Sequence, residues 1–244
     1  MIASPFFIHI PRTGGTYTRH MIKTIGGVDY GHCYIIEGTP NNSTHPIAPK
    51  NKIIGYHSFF YQKDLCDYTT MSIVRNIFDW YVSFFIFWKQ DLTQREVDKR
   101  FEPWILDIIE NGLRDGERVL WPSSGFLFPQ LFSDTGNFVC DWICRTETLD
   151  SDLTQLAKAC GAEAHIPLPP IHTSKKRKDY RYYYNNRMVD LINDVYAREL
   201  KLFGYQFDKI ECDPDNKLQL HIQKNLKDSM KYNYTSDKLT VRDI

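Results

Sequence analysis

Apolar residues in this chain fall into short blocks, and the spacing within each block sets the element it predicts. Phe6, Phe7, Ile8 and Ile10 form a compact run that predicts a strand over residues 4–10. A helix is expected over residues 16–26, with Gly26-Gly27 as its stop. Residues 28–51 carry Pro, Asn and Gly in a loop-like mix, and Lys52–Tyr56 predicts a short strand. Thr69–Val74 predicts a buried strand, and Phe78–Lys89 an aromatic-rich buried helix with Asp79 in its first turn. A further helix is expected over Thr93–Asn111, stopped by Gly112. Residues 112–136 read as irregular, and Phe138–Arg145 alternates like a strand. Asp150 or Ser151 caps a helix that runs to Cys160 and closes at Gly161. The prolines of residues 166–171 demand an extended path. One long last helix is expected over Asp179–Phe203, ending at Gly204. Strands interleaved with helices predict an α/β fold with a central, mainly parallel sheet flanked by helices. Residues 1–210 form its domain, and the polar residues 211–244 read as an accessory segment or tail.

Composition narrows the partners. The 244 residues are 42% apolar and 14% aromatic, enough for one sizeable core. Lys and Arg number 30, as do Asp and Glu, so the net charge is zero. A neutral chain has no global field for nucleic acid, and any anion site must be a local arrangement of cations. No apolar run approaches the roughly 18 residues of a membrane span. The six cysteines include no C-x-x-C pair and no companion histidines at metal-site spacing. Reduced thiols, no metal and a cytoplasmic setting are therefore expected.

Candidate chemistry begins at residues 6–18. The first strand ends at Pro11, and Arg12, Thr13, Gly14, Gly15 and Thr16 follow before the first helix. Strand, glycine turn and helix start make an anion cradle: the glycines bring backbone N–H groups close, and the helix end adds partial positive charge. The pattern differs from G-x-x-x-x-G-K-[ST], because the cation precedes the glycines and no Lys follows them. An ordinary tight turn between strand and helix is the plainer alternative. In parallel sheets ligands sit beyond the carboxyl ends of strands, and Arg12 and Arg75 both fall there. Ser83 lies about two helical turns beyond Arg75. A guanidinium with a nearby hydroxyl suits a phosphate monoester. The alternative for Arg75 is an ion pair with Asp79 or a capped sheet edge.

Together, HIPRTGGT and VRNIFDWYVS resemble the motifs of sulfotransferases that use 3′-phosphoadenosine 5′-phosphosulfate (PAPS), most closely the carbohydrate branch related to heparan sulfate 2-O-sulfotransferase and its bacterial relatives. Supporting similarities lie in DWICRTETLDSDLTQLAKACG, HTSKKRKDYRYYY and ARELKLFGYQF, so the resemblance spans about residues 5–207. It implies a P-loop-like three-layer fold and a sulfuryl transfer from PAPS to a hydroxyl, on a saccharide, leaving 3′-phosphoadenosine 5′-phosphate (PAP). Arg12, Thr13, Gly14, Gly15 and Thr16 would hold the 5′-phosphosulfate, with Arg12 also catalytic. Arg75 and Ser83 would hold the 3′-phosphate, and Thr173, Ser174, Lys175 and Lys176 the adenosine side. His57 is the candidate base, since a neutral imidazole accepts a proton near pH 7; merely ending a strand is its alternative role. His9 reads as structural, and His172 as a possible contact of cofactor or substrate. Gln130, Trp121 and Trp80 are candidates for the acceptor cleft, with core packing as the alternative. The family usually has Lys where this chain has Arg12. That departure keeps a non-catalytic PAP(S)-binding module in play. A P-loop-like nucleotide or metabolite kinase is the other alternative, although it calls for a Lys after the glycines.

Overall fold

Three parallel strands position everything that follows, in the order β1 (Pro5–Ile8), β2 (Thr69–Val74), β5 (Trp142–Arg145). The structure is a computed structural model. It describes residues 5–10, 12–24, 69–89, 91–111, 113–115, 118–121, 131, 137–159, 161, 177–209, 233–234 and 239–240. The expected strand Lys52–Tyr56, the loop 28–51, the stops at Gly26-Gly27 and Gly112 and the extended run 166–171 lie outside these residues.

The register aligns Phe7 with Met71 and Ile8 with Ser72, then Ser72 with Ile143 and Ile73 with Cys144. Side chains alternate across a strand, and the burial follows. Phe7, Met71, Ile73 and Cys144 join Met21 of α1 (Gly15–Thr24) and Leu153 and Leu156 of α4 (Leu149–Ala159) in one cluster. Ile8, Val74 and Ile143 join a larger cluster built on α2 (Ile77–Trp88) and α3 (Gln94–Asn111), with α5 (Asn186–Val195) and α6 (Ala197–Phe203). The sheet is thus packed against helices, in a mixed α/β fold. Ser72, fully buried between hydrophobic neighbours, donates its hydroxyl to the Ile8 carbonyl at 2.8 Å.

Local chemistry sets the element ends. Thr93 caps α3, and Glu96 accepts from its backbone N–H at 2.8 Å and its hydroxyl at 2.7 Å. The Glu96 N–H donates back to the Thr93 carbonyl at 3.0 Å, so only the carboxylate half of a capping box is formed. Gly204 closes α6 with φ 71, and Gly161 follows α4 with φ 78, as the glycine positions predict. No helix among the described residues is long and apolar enough to cross a membrane.

Three expectations need correcting. The single helix over Asp179–Phe203 is broken into a 3₁₀ turn (Tyr180–Tyr183), α5 and α6. Asp179 caps the turn by accepting from Arg181 N–H at 2.9 Å, and Asn185 caps α5 by accepting from Met188 N–H at 3.0 Å. Such short polar side chains compete with continuous helix by bonding the nearby backbone. The strand over Phe138–Arg145 is confined to its last four residues. Ahead of them Asp141 keeps one backbone bond, from its N–H to the Thr70 carbonyl at 2.9 Å, while its side chain takes the Thr70 N–H at 2.8 Å. The irregular stretch 112–136 contains an antiparallel pair, β3 (Leu113–Asp115) with β4 (Arg118–Trp121). Near the C-terminus, β6 (Asn233–Tyr234) pairs antiparallel with β7 (Leu239–Thr240).

Candidate functional site

The carboxyl ends of β1, β2 and β5 lie side by side, and each carries polar residues into one corner. At the end of β1, Thr13 is fully buried and donates its hydroxyl to the Ile10 carbonyl at 2.7 Å. Arg12 has φ 63 and Gly14 φ 95. Left-handed backbone suits Gly14, whereas in Arg12 it persists only because the surroundings hold it. The first intrahelical bond of α1 runs from Thr18 N–H to the Gly14 carbonyl at 3.1 Å, and the Thr18 hydroxyl adds a second at 3.2 Å. The N–H groups of Gly15, Thr16 and Tyr17 therefore precede the helical ladder, as they do at any helix start.

The glycines are needed for space as well as for conformation. A Cβ on Gly15 would lie 1.8 Å from His9 Nε2, and one on Gly14 would lie 2.8 Å from Leu149 Cδ2. His9 is buried and stacks on Phe7 with ring centroids 5.4 Å apart. The turn is wedged between this imidazole and the start of α4, which agrees with a structural role for His9.

At the end of β2, Arg75 does three things at once. Nη1 donates to the Arg12 carbonyl at 2.7 Å, Nε donates to Asp79 Oδ2 at 2.7 Å, and Nη2 lies 2.5 Å from the same oxygen. The ion pair with Asp79, the plainer expectation for Arg75, is therefore present, and it coexists with a grip on the neighbouring turn. Arg177 pairs with the other Asp79 oxygen, Oδ1. Burial lowers the pKa of Arg75 to about 10, against the raising effect of Glu147 and Tyr205. Arg177 is also lowered to about 10, by burial and then by the positive charge of Arg75. Burial is thus the larger cause for both arginines, and the two share the single Asp79 carboxylate.

Ser83, on the second turn of α2, accepts from Arg12 Nε at 3.3 Å. One turn later the Phe87 ring lies under the same guanidinium, 4.4 Å from Cζ to the centroid. Asn76 caps α2 by accepting from Phe78 N–H at 3.1 Å, and its Nδ2 donates to the carbonyls of Gln206 at 3.0 Å and Lys209 at 3.3 Å.

Beyond β5, the Thr146 hydroxyl lies 2.9 Å from the Thr13 carbonyl and 3.2 Å from that of Val74. Glu147 accepts from Asn76 N–H at 2.9 Å and from the Tyr205 hydroxyl at 2.8 Å. Burial pushes the Glu147 carboxyl up, although these hydrogen bonds and Arg75 oppose the shift. The corner therefore holds three guanidiniums, Arg12, Arg75 and Arg177, against Asp79 and a carboxylate whose charged form is disfavoured. Among the described residues no group of three or more His, Cys, Asp or Glu is placed to hold a metal ion.

Arg12, Thr13, Gly14, Gly15, Thr16, Arg75 and Ser83 thus share one corner. The two arginine-bearing turns adjoin and are joined by the Arg75–Arg12 hydrogen bond. His57, Gln130, His172, Thr173, Ser174, Lys175 and Lys176 lie outside the described residues. Trp80 is a correction: it is buried and stacks on Phe84 at 4.9 Å, so it fills the core and lines no cleft. The exposed aromatics of α2 are Phe87 and Trp88. Sequence reasoning passed over Phe87, and it gave no site role to Glu147 within DWICRTETLDSDLTQLAKACG or to Arg177 within HTSKKRKDYRYYY. Glu147 had a signal, because it follows the third parallel strand as Arg12 and Arg75 follow the first two. No family model matches the chain, and neither a curated protein nor a solved structure matches it.

Proposed function

We propose that this chain is a PAPS-dependent sulfotransferase with a P-loop-like three-layer fold, acting on a hydroxyl of a saccharide. The observation that carries the reading is the 2.7 Å hydrogen bond joining the two arginine-bearing turns, beside the start of α1 and a third guanidinium. The 3′ and 5′ substituents of the nucleotide share one ribose, so adjoining handles suit them.

Bound PAPS supplies the sulfuryl group and a leaving 5′-phosphate oxygen on which negative charge grows. Backbone N–H groups from Thr13 to Thr16 hold the 5′ end at the helix start. Arg12 stabilises the departing oxygen, and positioning with charge stabilisation does most of the work in such loose, in-line displacements. Arg75 and Ser83 bind the 3′-phosphate. A guanidinium has five N–H donors; in Arg75, Nε and Nη2 face Asp79 and Nη1 donates to the Arg12 carbonyl. Thr173, Ser174, Lys175 and Lys176 serve the adenosine side and His57 accepts the acceptor's proton, roles that rest on the sequence resemblance.

A thermal-shift comparison of PAP, ATP and AMP tests the reading. Stabilisation by PAP alone is expected. Equal stabilisation by ATP favours the kinase alternative, and no shift with PAP defeats the proposal. Transfer of radiolabelled sulfate from PAPS onto a saccharide panel then separates an enzyme from a module that only binds the nucleotide.

A further inference from the structure

The Phe87 ring is 47% exposed, so core packing does not account for it; Phe84 and Phe85 beside it fill the core instead. What the ring does carry is the guanidinium of Arg12, 4.4 Å from Cζ to centroid. Ser83, four residues earlier, takes the Nε–H of that same group at 3.3 Å. Residues four apart share one helix face. Helix α2 therefore offers a two-point seat, a ring for the plane of the guanidinium and a hydroxyl for its edge. The seat also meets a need, since Arg12 has the left-handed φ of 63 that a non-glycine residue keeps only when held.

Shape and hydration favour arginine in such a seat. A guanidinium is flat and weakly hydrated, and it stacks on rings; an ammonium is a strongly hydrated point charge with no plane to align. We infer that Phe87 is a positioning residue for Arg12, and that the site is matched to arginine at position 12 rather than to lysine. The inference rests on the proposed role of Arg12 as the cation that meets the nucleotide's 5′ end. Phe87 acts through Arg12, by fixing the plane from which its N–H groups point.

Calorimetry with PAP on the full chain tests this, using wild type, Phe87→Leu, Phe87→Tyr, Arg12→Lys and the double variant Arg12→Lys/Phe87→Leu. Phe87→Leu is expected to weaken binding by about two- to fivefold, the scale of an exposed cation–ring contact. Phe87→Tyr restores the affinity, and Phe87→Leu costs nothing further once residue 12 is lysine. Thermal midpoints of the Phe87 variants stay at the wild-type value. Equal loss in both backgrounds, or no loss in either, overturns the inference. A second readout needs no nucleotide: the Arg12 Nε–H proton resonance is shifted by the Phe87 ring current and returns toward the free-arginine position in Phe87→Leu. A wild type that binds no PAP but shows this shift defeats the sulfotransferase reading and supports the seat. A resonance unmoved by Phe87→Leu defeats the seat whatever the protein binds.

Discussion

The carbonyl oxygen of Arg12 accepts a hydrogen bond from Arg75 Nη1 at 2.7 Å, so one arginine holds the backbone from which the other projects. Because Arg75 also binds Asp79 through Nε, its fork ties the end of β1 to the start of α2. A lysine in its place is a single point cation that cannot serve both partners in that geometry. Arg75→Lys is expected to cost about 1.5–3 kcal/mol, the range for hydrogen bonds to charged groups. Chemical denaturation checks this, and an unchanged midpoint would show that the fork adds nothing to stability.

Gly15 has no room for a side chain. In Gly15→Ala the new Cβ lies 1.8 Å from a buried imidazole. The better helix propensity of alanine offers about 1 kcal/mol, but overpacking of a dense site costs typically about 1–3 kcal/mol, occasionally more. At so short a separation the clash dominates, and a clear drop in the thermal midpoint is expected. Adding His9→Ala makes room, so the double variant should melt above Gly15→Ala alone. A double variant no more stable than the single would assign the damage to the turn's backbone instead.

Glu147 gives the protein a pH-dependent contribution with a definite sign. Burial raises its pKa from the ordinary 4.5, so the folded state keeps the proton longer than the unfolded chain does. The group's stabilising share is complete below 4.5 and is lost as pH climbs through the raised value. Asp152, raised by burial as well, adds a slope of the same sign. Glu147→Gln keeps an acceptor for Asn76 N–H and removes the titration. Wild-type stability relative to this variant should therefore fall as pH rises from 4.5 through the raised value. Denaturation curves that stay parallel across that window count against the shift.

Arg12 is assigned to the transition state more than to the ground state. Arg12→Ala should therefore lower turnover of PAPS by about a hundredfold or more, the loss typical of one charge-stabilising donor. Turnover should fall by a larger factor than PAP affinity. Steady-state rates beside calorimetry make the comparison, and near-normal turnover removes Arg12 from the mechanism.

The parts of the fold that were legible in the sequence are those fixed by local pattern. Thr69–Val74 reads as a buried strand because both of its faces are covered, and Gly161 and Gly204 mark helix ends because only the left-handed backbone fits there. The breaks in the last helix were written as Asp179 and Asn185, but apolar periodicity runs through them and hides the caps. In the candidate site, the rule that ligands sit beyond strand ends pointed to Arg12 and Arg75, which the structure joins by a hydrogen bond. It did not reveal that Arg177 reaches back to Asp79, nor that Phe87 lies beneath Arg12. Both are meetings between elements, set by how helices and loops dock, and no local window contains both partners.

The same long-range stitching has a consequence for how the chain matures. Thr146 reaches Thr13 across 133 positions, and the Asn76 amide reaches Gln206 across 130. A nascent chain leaving the ribosome therefore cannot close this corner until its residues near 206 are out. Late closure of distant contacts is slow and leaves apolar strands bare meanwhile. Any shortened version ending before that point would carry the entire glycine turn and still lack the clasp that gives it shape.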